Sequence, residues 1–353
     1  MPRGSQMDRI KEWADRKGYL VAFTKPESMG PARDVVLSMY DSGQIDTGFF
    51  ESSLRRLKEA DLKWDWSPKT VIIVLAPRPA HLLSFDAETG PFEVVAPPTY
   101  VGYRAAELAV QAELGKILGE QYHLESPPVP LKSLAVRVGL TKYGRNNIAY
   151  TKEFGSYQQL YGFVTDAELT EESTEETSEE TAEKTAAKTF AESSGRCVGV
   201  WAKSSVGNTQ AACDLPLLEE CRDCGRCVNV CPTGAIAGDR FLLHAERCLT
   251  YLNEFPGEWP DWVPRRAHHA VVGCMKCQAI CPANRGKLRV ERVVAEGFTF
   301  EETQALFEAD DASQSASWES AKAKLSRLGL PGYESLVGRN LRAVMEARKC
   351  HVD

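Results

Sequence analysis

The sequence predicts an α+β fold, in which an α/β domain is followed by a small cysteine-rich module and by C-terminal helices. Three observations lead to this prediction. Strand-length apolar runs and a helical pattern lie upstream of residue 167, two cysteine runs lie between residues 221 and 281, and helical patterns broken at residues 329–332 fill residues 300–348. The 353 residues are enough for about two domains, each with its own core.

The first domain is predicted from its apolar patterns. Residues 19–23 and 71–76 are apolar and bounded by Gly, Pro or Lys, as short strands are, and two more strands are expected near 147–150 and 162–165. Residues 103–118 predict an amphipathic helix. The apolar face expected for this helix consists of Ala106, Leu108, Ala109, Ala112, Leu114 and Leu118.

An acidic stretch separates the two halves of the chain. Residues 166–196 contain ten acidic and three basic side chains, so this stretch carries as much negative charge as the whole chain, whose net charge is −7. Residues 171–180 place like charges four positions apart and offer no apolar face, which favours a solvated, disordered insert. The predicted parts are an α/β domain (7–167), the acidic insert (168–213), a cluster module (214–295) and a C-terminal helical segment (296–353).

The cysteine spacing predicts two iron-sulfur clusters. The first run is Cys221, Cys224, Cys227 and Cys231, and the second is Cys274, Cys277 and Cys281, each run ending in Cys-Pro. In bacterial ferredoxins the cysteine before Pro ligates the other cluster. The second run is one ligand short, and Cys248 can supply it. The predicted ligand sets are Cys221, Cys224, Cys227 and Cys281 for one 4Fe-4S cluster, and Cys231, Cys248, Cys274 and Cys277 for the other.

Structural zinc and disulfides are two other possible uses of these cysteines. Cys-x-x-Cys pairs also suit structural zinc, but zinc requires neither the Cys-Pro endings nor the third cysteine of the first run. A disulfide framework is typical of small secreted chains. Cys197, Cys213 and Cys350 stand outside both runs and are expected to be dispensable for iron binding.

The sequence indicates a cytoplasmic protein without a membrane anchor. The N-terminal residues form no secretory leader pattern, and no apolar run approaches the roughly 18 residues of a membrane span. There is also no Gly-x-Gly-x-x-Gly motif after a strand and no Walker loop, so the electron acceptor is not predicted to be a Rossmann-bound nucleotide.

Several motifs resemble those of the epoxyqueuosine reductases, a family of cobalamin and iron-sulfur enzymes. The similar stretches are Gly-Leu-Thr-Lys-Tyr-Gly-Arg-Asn-Asn at 139–147, Phe-Gly-Ser at 154–156, Thr-Asp at 165–166, both cysteine runs, and His-Ala-Glu-Arg-Cys-Leu-Thr-Tyr-Leu at 244–252. The resemblance covers most of the chain beyond residue 95. Departures at 43–48 and in Met275-Lys276, between two cysteines, leave a diverged paralogue with another substrate open.

The resemblance implies a function and its cofactors. It implies base-off cobalamin held between a nitroreductase-like domain and the cluster module, where the clusters generate cob(I)alamin that reduces an epoxide in tRNA or a related electrophile. Flavodoxin or ferredoxin would be the external low-potential electron donor. The implied corrinoid contacts are Tyr143, Gly144, Arg145, Asn146, Gly155 and Ser156. The implied proton donor is Glu125, in place of the family's Asp, with burial raising its pKa.

A function of a different class remains open. A two-cluster module can also deliver electrons to a partner, activate a corrinoid bound elsewhere, or act as a corrinoid carrier without bond chemistry of its own. Basic residues that follow the second cysteine run offer a face for tRNA, although a run of charge is more often simply solvated. This face would be formed by Arg285, Lys287, Arg289 and Arg292, with Lys322, Lys324, Arg327, Arg339 and Arg342 nearer the C-terminus.

Overall fold

A computed structural model describes residues 5–169, 217–308 and 315–349. Residues 170–213 of the predicted acidic insert, and Cys197, Cys213 and Cys350, lie outside the described residues. The helices are α1 (Gln6–Lys17), α2 (Met29–Asp41), α3 (Thr47–Phe49), α4 (Arg56–Glu59), α5 (Tyr103–Leu118), α6 (Leu131–Arg137), α7 (Arg226–Val230), α8 (Leu249–Glu254), α9 (Lys276–Ala279), α10 (Phe300–Phe307), α11 (Ala316–Arg327) and α12 (Glu334–Lys349). The strands are β1 (Leu20–Thr24), β2 (Thr70–Pro77), β3 (Ala80–Ala87), β4 (Gly90–Ala96), β5 (Leu124–Glu125), β6 (Lys142–Tyr143), β7 (Ala149–Tyr150), β8 (Gln158–Thr165) and β9 (Val290–Phe298).

The first domain is a three-layer sandwich around an antiparallel sheet of order β1-β2-β8-β5. Alternate residues of β2 face opposite layers. Ile72 and Val74 pack with α1 and α5, whereas Val71 and Ile73 pack with α2 and α6. Because helices cover both faces of β2, nearly all of its residues are apolar. This continuous apolar run is the pattern from which the sequence predicted the strand. Mixed helices and antiparallel strands confirm the α+β class.

Helix α5 has the predicted bounds, but its apolar face is rotated from the prediction. Val110, Leu114 and Leu118 are buried, whereas Leu108 is 48% exposed and Ala109 and Ala112 are also exposed. The buried positions recur every four residues, along one ridge of the helix. The expected face was therefore wrong at Leu108, Ala109 and Ala112.

A second sheet, of order β4-β3-β9, joins the two halves of the chain. The β3–β4 hairpin precedes the cysteine runs, and β9 follows them and pairs in parallel with β3, starting at Ala80 and Val290. Strand β9 spans the predicted boundary at 295/296. Helices α10, α11 and α12 pack on this sheet through a core that includes Phe85, Phe298 and Leu325. Neither the hairpin nor β9 was predicted from the sequence.

The cysteine-rich module is attached to the first domain at three points. Leu217 forms a bridge with Tyr143 at its start, Ala270 forms one with Val95 in its middle, and β9 pairs with β3 at its end. Helix α12 covers the module from the other side, where the fully buried Asn340 donates to the carbonyls of Asn253 (3.0 Å) and Val271 (2.8 Å). Throughout the described ranges, the helices are too short or too polar to span a membrane.

Candidate metal centre

Four thiols meet at one pocket between the module and the first domain. Cys221, Cys224 and Cys227 come from the first cysteine run, and Cys281 comes from the end of the second. All four line one pocket, together with Arg145, Asn146 and Tyr150 of the first domain. This is the grouping predicted from the crossing pattern of ferredoxins.

The other four cysteines form a second group. The Cys231 and Cys248 thiols act electrostatically on Cys274, and the Cys274 and Cys248 thiols act on Cys277. Cys248, which lies just before α8, therefore stands beside cysteines of both runs, as required if it fills the missing ligand position.

Burial dominates the chemistry of these thiols. It raises the pKa of Cys227 to about 11 and that of Cys274 to about 12, and neighbouring thiols add to both shifts. Burial also raises the pKa of Cys221, Cys248 and Cys277. Clustered thiols that resist ionisation become thiolates only when a nearby positive charge stabilises them. Bound iron supplies that charge, so this set of donors fits two clusters. Among the described residues, no three His, Cys, Asp or Glu side chains are placed to hold a single metal ion.

The loop between β6 and β7 lies against the first thiol group. The Arg145 backbone N–H donates to Cys221 Sγ over 3.4 Å, and its guanidinium donates to the carbonyls of Cys221 (2.8 Å) and Gly238 (3.3 Å). A Cβ on Gly144 would stand 2.5 Å from the ring of Tyr150, so the close approach of this loop requires glycine.

Asn146 and Tyr150 line the pocket of the first thiol group. These residues are 3% and 2% exposed, and Asn146 Nδ2 donates to the Tyr150 hydroxyl over 2.8 Å. Burial and the nearby thiols raise the pKa of Tyr150 far above its usual range.

The Gly155-Ser156 turn lies against the segment that follows Cys281. The Ser156 backbone N–H donates to Asn284 Oδ1 (2.8 Å), and its hydroxyl donates to Gln278 Oε1 (2.8 Å). Gly155 has a φ of +61°, and a Cβ there would meet Asn284 Oδ1 at 2.1 Å. This turn therefore docks the first domain onto the module.

Tyr143, the remaining predicted corrinoid contact, is also engaged by the protein. It is 4% exposed, its carbonyl accepts from the Leu218 N–H over 2.8 Å, and its ring meets Phe241 edge-on at 5.2 Å. Burial raises the pKa of Tyr143 to about 12. All six residues that the resemblance implied as corrinoid contacts thus lie within the protein or against the module.

Glu125 is placed differently from the expectation. It lies in the short edge strand β5, pairs with Val164, and is exposed. The buried position expected for a proton donor is therefore not found in this structure. Its partner Val164 is six residues, or about 20 Å, along β8 from Gln158. The module faces the Gln158 end of this strand, so Glu125 lies toward the opposite end.

His268 and His269 are structural. The His269 Nε2 accepts the Met275 backbone N–H over 3.2 Å, which holds the turn between Cys274 and Cys277. The His268 ring lies 4.3 Å from the Trp259 ring, and burial lowers the pKa of His268 to about 4. Both are therefore neutral near pH 7.

Sequence reasoning missed the polar groups that surround the thiols. Tyr150, Gln278 and Asn284 carry no motif, and their roles depend on contacts between residues 120 or more positions apart. One available signal was Asn284, which stands three positions after Cys281 and so shares its turn.

A family model for a 4Fe-4S double cluster binding domain matches residues 220–284. An epoxyqueuosine reductase of Lactococcus garvieae is 28% identical over 154 residues, which are 44% of this chain and 32% of that protein. One of Staphylococcus aureus is 40% identical over 73 residues, 21% of this chain and 19% of that protein. The matched stretch therefore spans a third or less of the length of these two curated relatives.

Solved structures extend the likeness to almost the whole chain. A Bacillus subtilis epoxyqueuosine reductase matches 96% of this chain and 80% of its own, with a TM-score of 0.59 and 17% identity. A Streptococcus thermophilus epoxyqueuosine reductase matches the same shares, with a TM-score of 0.58 and 18% identity. These comparisons confirm the expected fold and the resemblance to this family.

We expect anaerobically reconstituted protein to contain eight irons per chain, the content of a double 4Fe-4S module. Replacing Cys248 with Ala should remove one cluster and keep the other, because only the second thiol group contains this residue. Iron analysis and EPR of the reduced protein measure both outcomes. Cys350→Ala, outside both runs, is the matched control and should keep all the iron. About four irons in the parent protein would contradict the two-cluster assignment.

Gly155→Ala should loosen the attachment of the first domain to the module. Alanine at a positive φ costs about 1 kcal/mol in backbone strain, and its Cβ must also displace Asn284. Gly286→Ala is the control, since Gly286 has a φ of +72° and open space around it, so it bears the strain alone. Anaerobic thermal melting should show the larger loss for Gly155→Ala. Equal losses in the two variants would show that contact with Asn284 is unimportant.

Proposed function

We propose that this chain, a relative of the epoxyqueuosine reductases in sequence and fold, is a cobalamin-dependent reductase that receives its electrons from two 4Fe-4S clusters. Its substrate is an epoxide, foremost that of epoxyqueuosine in tRNA, or a related electrophile. The observation that carries the proposal is the convergence of eight cysteines into two groups of four at the face of the first domain. A similar structure contains an epoxyqueuosine-modified tRNA stem loop, which supports this substrate class.

The cysteine-rich module would hold the redox groups. Cys221, Cys224, Cys227 and Cys281 would ligate one cluster, and Cys231, Cys248, Cys274 and Cys277 the other. Clusters of this type carry single electrons, and their potentials depend on hydrogen bonds to sulfur and on solvent exposure. The chain supplies both controls, because Cys221 is buried, the other seven candidate ligands are only partly exposed, and the Arg145 N–H donates to Cys221. A flavodoxin or ferredoxin would deliver the electrons.

Cobalamin enters the proposal through the resemblance to the epoxyqueuosine reductases. When bound, it supplies a strongly nucleophilic cobalt centre. Tyr143, Gly144, Arg145, Asn146, Gly155 and Ser156 remain its proposed contacts. They lie where the first domain meets the module, which is where the resemblance implies the corrinoid.

The histidines are compatible with base-off binding. Five of them lie in the described ranges, and each already contacts another protein group. These five are His81, His123, His244, His268 and His269. A site that supplies no imidazole leaves the lower face of the cobalt without a protein nitrogen.

Exposed basic residues support tRNA as a partner. Arg285 and Arg289 are exposed and follow closely after Cys281, whereas Arg292 is paired with Glu93 over 2.8 Å. Phosphate contacts by Lys and Arg supply most of the sequence-independent affinity for nucleic acids. This charge is local, since the whole chain is acidic.

We further propose Glu125 as the proton donor for the oxygen that leaves the substrate carbon. Its loop would have to move, because Glu125 is exposed on an edge strand. One similar structure shows the catalytic loop of the Bacillus subtilis enzyme swung out of the active site, which supports a mobile loop in this family of folds. Strand β5 has only two residues, so few hydrogen bonds oppose such a movement.

Glu125→Gln keeps the length of the side chain and removes the proton. If Glu125 is the acid, turnover should fall about 10²-fold or more, with iron content and cobalamin binding unchanged. Glu120→Gln, another exposed glutamate near the same edge, is the control and should keep full activity. Full activity of Glu125→Gln in single-turnover measurements would exclude Glu125 as the acid.

A second function is favoured by the exposure of Glu125. Without a buried acid, the chain could transfer electrons to a partner, or activate or carry a corrinoid, and perform no bond chemistry. The thiol groups serve either function equally well. Turnover separates the two.

The test adds cobalamin and a tRNA stem loop bearing epoxyqueuosine to the anaerobic, iron-loaded protein. We expect bound cobalamin with an EPR spectrum that lacks nitrogen superhyperfine splitting, and conversion of the epoxide when a chemical reductant is present. Resolved nitrogen splitting would contradict base-off binding. Bound cobalamin without turnover would support the electron-transfer or carrier function, and failure to bind cobalamin would overturn the cobalamin proposal.

A further inference from the structure

Helix α12 contacts the cysteine-rich module through two adjacent polar side chains, Arg339 and Asn340. Asn340 is fully buried and Arg339 is half-buried. Neither is a candidate ligand, and the sequence suggested only that Arg339 belongs to a basic face for tRNA. We call these two residues the Arg339–Asn340 clamp, because their hydrogen bonds hold two segments of the module.

All five N–H groups of Arg339 donate hydrogen bonds within the protein. Nη1 donates to the carbonyls of Phe255 (2.9 Å) and Gly257 (2.7 Å), and Nη2 donates to the Leu252 carbonyl (2.8 Å). Nε (3.3 Å) and Nη2 (3.1 Å) both donate to Asn340 Oδ1. These bonds use the whole donor set of a guanidinium. Arg339 therefore holds the C-terminal end of α8 and has no N–H left for a phosphate.

Asn340 joins α8 to the segment that leads into the second cysteine run. Its Nδ2 donates to the carbonyls of Asn253 (3.0 Å) and Val271 (2.8 Å). Asn253 is itself 1% exposed, and its Nδ2 donates to the Gly273 carbonyl over 2.6 Å. Gly273 directly precedes Cys274. A continuous set of hydrogen bonds thus connects α12, α8 and the start of the second run.

These contacts determine where Cys248 lies. Cys248 directly precedes α8, and its carbonyl accepts the Leu252 N–H over 3.0 Å. Leu252, Trp259 and Cys274 pack against the same buried apolar cluster, and the guanidinium of the clamp lies 4.1 Å from the Trp259 ring. Cysteines within a run are three or four positions apart, but Cys248 is 26 positions from Cys274. Local spacing cannot fix this separation, so tertiary contacts must.

Groups that hold metal ligands in place contribute to metal affinity without touching the metal. Replacing such a group typically lowers metal affinity about 10–100-fold. Lysine keeps the charge of Arg339 but has three N–H groups on one nitrogen, so it cannot reach carbonyls on both sides of a planar fork.

We propose that Arg339 and Asn340 are positioning residues for the second cluster, which hold α8, and with it Cys248, at the distance from Cys274 that a site of four cysteines requires. This inference rests on the cluster part of the proposed function and is independent of cobalamin and substrate. It assigns Arg339 to the module instead of the basic face expected for tRNA.

The test is an anaerobic chelator challenge of the iron-loaded protein, with EPR of the reduced protein showing which cluster is lost. Cys248→Ala identifies the signals, because the cluster that remains in it is the first. Arg339→Lys should lose the second cluster about 10–100-fold faster than the parent protein and the first at the parent rate. The double variant with Cys248→Ala should release its remaining iron no faster than Cys248→Ala alone.

Asn253→Ala breaks the same connection from the side of the module, by removing the hydrogen bond to Gly273, and should show the same selective loss. It tests the inference without any change in α12.

Arg348→Lys is the matched control, since Arg348 is an exposed arginine of the same helix that donates to the Glu93 carbonyl of the first domain. It should release iron from both clusters at the parent rate. The proposal is overturned if Arg339→Lys loses both clusters equally, if it keeps the parent rate, or if Arg348→Lys matches it. A parent protein without iron would instead refute the cluster proposal itself.

Discussion

The gathering of eight cysteines at one face of the first domain is the constraint on which the rest of the structure depends. Thiols in this environment ionise with difficulty, and burial raises the pKa of Cys227 to about 11 and of Cys274 to about 12. Binding iron would release their protons and join segments of chain that are far apart in sequence. Cys281 joins the group begun by Cys221, so the two runs cannot fold as separate units. Metal binding and folding of the module are coupled for this reason.

The first domain contributes the polar lining of this site. One loop brings the Arg145 N–H to Cys221 and the Asn146 side chain into the pocket of the first thiol group, and the Gly155-Ser156 turn binds Asn284. Both segments belong to the motifs that resemble the epoxyqueuosine reductases. In this chain, the structure gives them a role in holding and surrounding the thiols. Their glycines are explained by close approach to Tyr150 and Asn284, without any ligand.

The sequence predicted the features that depend on local spacing. Cysteine intervals predicted the two groups of four in which the structure places these residues, and the apolar run of β2 and the extent of α5 were visible because each is a continuous pattern. Strand β9 was missed because it lies at the edge of its sheet, mostly exposed, with charged residues among its valines. The hydrogen bonds of Ser156 to Asn284 and Gln278 join segments more than 120 residues apart, so no local pattern could predict them. The exposure of Glu125 depends on its pairing with β8, which no local pattern reports.

The three attachments of the cysteine-rich module limit how far it can move. A module on one flexible linker samples many orientations, and its encounter with a neighbouring domain depends on the effective concentration that the linker allows. Here Leu217, Ala270 and Val290 each pair with the first domain, so the ends of the module and its middle are held to one surface. The module cannot swing between a donor and an acceptor as a tethered shuttle would. If the module carries the proposed clusters, electrons would have to enter through a fixed face, and the proposed donor protein would have to bring its own redox centre to that face.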